Sequence, residues 1–227
     1  GKDHVRPAAV RQLVEYILYP RTAHLAEEGK GILTFDGDIT AISQAAFYDR
    51  ATLKTISLPS TLEEIGSEAF YRCSELWSVN LPSKITEIKS HTFYGCKNLR
   101  QINLHNNITK IDAGAFRDCE NLGTIIIPDQ VTTIREYAFR KCTGAVLTII
   151  PNSVTSIGII AFQNSPKLTS ITIPESVTTI GTQAFNGCKA LKEIKGSFSD
   201  LAVIGANAFN GTEWFNDQPD GLLYIGK

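Results

Sequence analysis

The sequence predicts a repeat solenoid: a right-handed coil with short parallel strands on one face, short helical turns on the other, and an N-terminal capping helix. Two observations predict it. First, a phenylalanine recurs as Phe47, Phe70, Phe93, Phe116, Phe139, Phe162, Phe185 and Phe209; six of the seven intervals are 23 residues and the last is 24. A fixed period in the range of about 20 to 50 residues marks a stacked array, in which no unit can close a core alone. Second, the same short apolar pattern sits at the same place in almost every period, for example Leu76, Val79 and Leu81 before Pro82, then Ile85 and Ile88. Short runs of alternating aliphatic residues suit a pleated surface.

Taken in order, residues 1–31 read as a cap and a connection. Pro7 suits a first helical turn. Val10, Leu13, Val14, Ile17 and Leu18 form one apolar stripe, and Pro20 ends it. Such a helix would cover the open end of the first winding. Residues 21–30 read as a polar connection. Ile32 to Phe35 and Ile39 to Ile42 flank Asp36-Gly37-Asp38, a turn signal.

Residues 32–211 are the solenoid, about eight windings. In each, a strand ends near a proline, which cannot donate to a ladder. A bend and a second short strand follow, and then a segment such as Gly66-Ser67-Glu68-Ala69-Phe70-Tyr71-Arg72-Cys73, which reads as a helical turn with Phe and Cys inward. Gly158, Gly181 and Gly205 recur before that turn, where permissive φ/ψ is expected. Residues 212–227 are an end segment. Gln218-Pro219-Asp220-Gly221 reads as a turn, and Leu222-Leu223-Tyr224-Ile225 as the start of a further strand; the expectation is a piece of a longer protein, with a closing hairpin or cap as the alternative.

Cys73, Cys96, Cys119, Cys142 and Cys188 all lie three residues after a repeat Phe. This periodic placement lacks metal-ligand spacing, and free buried thiols are expected. The formal net charge is -1, from 22 basic and 23 acidic residues, which argues against binding through the phosphate backbone of nucleic acid. No apolar run is long enough to span a bilayer as a helix.

The motif L-x-x-I-x-I-P-x-x-V-T-x-I-G-x-x-A-F-x-x-C, followed closely by Leu168 to Cys188, resembles the BspA-like type of leucine-rich repeat. The resemblance covers about residues 32–211. It implies a secreted or surface-attached bacterial protein that binds host or bacterial macromolecules, a host surface or matrix protein among them, in the manner of an adhesin. It supplies no binding residues, because the motif positions are the inward ones.

Departures from the motif are informative. His105 stands where most windings have proline. Ala145 and Thr148 replace inward aliphatic residues, while Val146, Leu147, Ile149 and Ile150 are apolar. Gly196-Ser197 replaces an aliphatic residue and proline.

No catalytic fingerprint occurs. His91 and His105 read as surface histidines, Asp36-Gly37-Asp38 as a plain turn, and Asn107-Ile108-Thr109 and Asn210-Gly211-Thr212 as glycosylation sequons of weak force. No cofactor or metal is expected. The outward positions of the main strands are mostly small or polar. Ile126, Leu147 and Ile149 are the exceptions, with Trp77 and Arg100 at the strand entrance, and these five are the candidate partner-binding residues. If the strand of the Phe139 winding is shifted, Leu147 and Ile149 are instead buried. The chain is expected to act as a monomeric, non-enzymatic interaction domain. A spacer within a larger surface protein is the alternative, and a hydrolase with its site between windings the remote one.

Overall fold

The structure, a computed structural model, describes residues 23–25, 32–35, 39–147, 149–196 and 198–217. The expected capping helix, the Asp36-Gly37-Asp38 turn and the strand at Leu222 lie outside them. β1 (Ala23–Leu25) falls within the expected polar connection and pairs antiparallel with β2 (Ile32–Phe35). There follow β3 (Ala41–Ile42), β4 (Thr55–Ile56), β5 (Glu64–Ile65), β6 (Ser78–Val79), β7 (Glu87–Ile88), β8 (Gln101–Ile102), β9 (Lys110–Ile111), β10 (Thr133–Ile134), β11 (Ser156–Ile157), β12 (Ser170–Thr172), β13 (Thr179–Ile180), β14 (Glu193–Lys195) and β15 (Val203–Ile204). Pairing is parallel throughout this series, as between Ser78 and Gln101 or Thr133 and Ser156.

The windings thus build two sheets. The main sheet runs β1-β2-β4-β6-β8 and resumes as β12-β14; the second runs β7-β9-β10-β11-β13-β15, with β3-β5 as a separate pair. Between β8 and β12 the main sheet is reduced to two single bridges, Thr124 to Val146 and Ile149 to Thr172.

Between the sheets lies one continuous apolar interior. The eight phenylalanines stack in a column, with ring centroids 5.2 to 5.5 Å apart and interplanar angles of at most 8°. All five cysteines are free and buried. Each thiol donates to the carbonyl of the Phe one winding earlier, Cys96 to Phe70 at 3.1 Å and Cys119 to Phe93 at 3.0 Å. Ser165 fills the cysteine position in the Phe162 winding and makes the same contact to Phe139 at 3.2 Å. The role is therefore a small buried donor rather than sulfur chemistry.

The expected helical turns are not formed. The segment through each Phe is a chain of tight turns whose N–H groups alternate in direction. Ala69, Tyr71 and Cys73 donate to residues three back (3.2, 3.0 and 3.1 Å), while Glu68, Phe70 and Arg72 donate to Ser90, Thr92 and Tyr94 of the next winding (3.0, 2.9 and 2.6 Å). Two residues per winding take positive φ, such as Glu68 at 59° and Arg72 at 56°. The reason is width: an α-helix is about 10 Å across, and windings about 5 Å apart cannot each hold one without fanning open. Among the described residues the only helix is α1 (Glu213–Asn216), capped by the Thr212 hydroxyl, which accepts from Phe215 N–H at 3.1 Å.

The glycines before these turns also serve another purpose than expected. Gly158, Gly181 and Gly205 do not have positive φ. A Cβ on them would lie 2.1 to 2.5 Å from a backbone nitrogen of the preceding winding. They permit close approach rather than an unusual bend.

Candidate functional site

The outer face of the main sheet is the candidate site. Alternation along each main strand sends one set of side chains into the core and the other to solvent. Most outward residues are polar, including Asn80, Gln101, Asn103, Thr124, Glu193 and Lys195, all exposed. Apolar side chains interrupt this face where the sheet is reduced to single bridges. Ile126 is 75% exposed, Ile149 63% and Val146 39%.

Of the five residues singled out from sequence, the structure places Ile126, Ile149, Trp77 and Arg100 on the surface, with Trp77 47% exposed. Leu147 is a correction: it is 2% exposed, within the core. Thr124 bridges Val146, a step of 22 residues, whereas Ile149 bridges Thr172 at the regular 23. The winding holds an extra residue between these bridges. Such a bulge re-aims side chains, turning Leu147 inward and leaving Val146 outside. The shift is local, so it does not reach Ile149. Val146 was missed because the repeat alignment places it at the strand entrance, in the column of Trp77 and Arg100. That column is continuous in the structure: Arg100 N–H donates to the Trp77 carbonyl at 2.9 Å, Gly123 N–H to Arg100 at 3.2 Å and Val146 N–H to Gly123 at 3.2 Å.

Around the second sheet, charged residues pair: Lys84 with Glu63 at 2.5 Å, Lys110 with Asp112 at 3.0 Å, and Lys89 with Glu64. Lys54 and Arg100 at the strand entrances, and Asp129 and Glu175 at the bends beyond the strand exits, make no ion pair among the described residues. Arg100 lies one winding before Ile126 on the entrance side, and Asp129 follows Ile126 in the same winding on the exit side.

A shallow groove of about 380 Å³ continues the apolar area toward the bends, lined by residues including Ile149, Asn152, Thr172, Pro174, Glu175 and Gly196. It contains no histidine. His105 instead donates from Nε2 to the Pro82 carbonyl at 2.9 Å, filling the place of proline with a local hydrogen bond. Its Nδ1 is buried and without a partner among the described residues. His91 is half-buried beside Tyr94, 5.8 Å between ring centroids. No cluster of three metal-ligating side chains occurs among the described residues. Asn107 and Asn210 of the sequons are exposed, and Asn107 donates to the Ser83 carbonyl at 2.8 Å.

The sequence profile of the BspA type leucine-rich repeat region matches residues 31–146 and 110–217, in 6 copies. The chain belongs to this family. Among solved structures, it is similar to a leucine-rich repeat protein of T. pallidum, at 26% identity and a TM-score of 0.68, over 95% of this chain and 91% of that one. A leucine-rich repeat protein of Eubacterium ventriosum shares 19% identity at a TM-score of 0.51, over 83% and 66% of the two chains, a likeness of fold alone. A leucine rich cell surface protein of Faecalibacterium prausnitzii matches at 22% identity and a TM-score of 0.42, over 78% and 76%. No match is found among curated proteins. Against the family's repeat, the bulged Phe139 winding stands out, because it breaks both the motif and the sheet.

Proposed function

We propose that this leucine-rich repeat chain is a non-enzymatic protein-interaction domain of a secreted or surface-attached bacterial protein, and that it binds a protein ligand through the outer face of its main sheet. The supporting observation is the exposure of Ile126, Val146 and Ile149 together on an otherwise polar face. Apolar residues rimmed by polar and charged ones are the composition of a contact surface. Surface attachment and an adhesin-like role rest on the family. No helix among the described residues is long and apolar enough to cross a membrane.

The test is capture from extracellular matrix and bacterial surface proteins by the intact chain and by an Ile126→Asp/Ile149→Asp variant. Capture of a ligand by the parent but not the variant, with both folded by circular dichroism, is expected. Equal capture by both places the contact elsewhere and defeats this reading.

A further inference from the structure

We propose that the groove beside Ile149 receives an arginine side chain from an extended segment of the protein ligand. This deepens the reading above and rests on it: the ligand must first engage this face.

The groove lies where the repeat departs from its pattern: Gly196 stands where the preceding winding has the buried Ile173. Its φ is +130°, and a Cβ there would lie 1.9 Å from the Ile173 carbonyl oxygen, so glycine alone fits this approach without moving the chain.

The lining suits a long side chain with an apolar stem and a cationic tip. Ile149 and Pro174 supply apolar wall, on which methylene groups can lie. The polar groups around them include hydrogen-bond acceptors. Ser176 already donates its hydroxyl proton to the Val154 carbonyl at 2.7 Å, so toward the groove its oxygen can only accept. The Glu175 carboxylate accepts only, while Asn152 and Thr172 each carry an acceptor oxygen beside their own donors. A guanidinium has five donors in a planar fork and no acceptor, so it can use the carboxylate and the Ser176 oxygen together.

Charge complementarity decides the sign. Nearby cations are already engaged: Lys195 with Glu193 at 3.1 Å and Lys192 with Glu213 at 3.1 Å. Glu175 has no such partner among the described residues, so the groove keeps an uncompensated negative charge.

The experiment pans a display library of random short peptides against the intact chain and measures the affinity of the enriched peptides. The expected result is enrichment of sequences with an arginine beside an aliphatic residue. Replacing that arginine with citrulline, or Glu175 with Gln, is expected to weaken binding about tenfold, the scale of one charge-assisted hydrogen bond. Glu175→Gln changes an exposed side chain, and its thermal unfolding should match the parent. Peptides that lose binding to Ile149→Asp but are indifferent to Glu175→Gln overturn the arginine assignment and leave the interaction face standing. Peptides indifferent to both changes, or the absence of any enrichment over a bare support, overturn both.

Discussion

At the scale of single residues, the period does more than place apolar atoms; it places small buried donors. The five thiols point at carbonyls one winding away, and burial governs their chemistry. Desolvation pushes the Cys73 and Cys188 thiols from 9.0 up to about 12, and raises Cys96, Cys119 and Cys142 as well. A thiol whose pKa is raised on folding favours the neutral form. Its stabilising contribution is full below the unfolded pKa and is lost as pH rises toward the folded value. Thermal stability is therefore expected to fall between about pH 9 and pH 12, more steeply than in a variant with all five cysteines replaced by serine. Ser165 shows that a hydroxyl can make the same bond. A pH series of melting curves on both proteins checks this; identical alkaline limbs would mean that the thiols do not contribute.

At the scale of the element, the Phe139 winding departs most clearly from the pattern. Its sequence reads as mis-phased, and the structure resolves the phase: Leu147 enters the core while Val146 and Ile149 stay outside. Leu147→Asp is expected to unfold the domain, because it buries an unpaired charge. Ile126→Asp and Ile149→Asp should leave stability within about 0.5 kcal/mol of the parent, as exposed positions usually do. Urea midpoints of the three variants provide the measurement, and a folded Leu147→Asp protein would contradict the bulge. The turns through each Phe carry a similar lesson. Their spacing of inward residues is compatible with a helix, but the neighbouring winding competes for every second N–H. A single winding read in isolation cannot reveal that competition.

At the scale of the whole molecule, stability is shared between neighbouring windings, since each contacts only the next. The phenylalanine column joins them. Phe116 is fully buried between the rings of Phe93 and Phe139, 5.5 and 5.4 Å away. Phe116→Ala is expected to cost about 3–5 kcal/mol, the range for a buried phenylalanine. Urea denaturation followed by hydrogen exchange should show the loss concentrated in the windings on either side. Uniform loss across the chain would argue against nearest-neighbour stacking.

The repeat period, the inward and outward positions of the regular windings, the buried free cysteines and the exposure of Ile126, Ile149 and Trp77 were legible in the sequence. They follow from local alternation and from a period that twenty-three residues can satisfy only by stacking. Three things were decided by the tertiary structure: the turns in place of helices, the glycines as points of close approach, and the burial of Leu147 with the exposure of Val146. Each depends on the distance and register between windings. Those quantities arise only when one winding meets another, and no single stretch of chain encodes them.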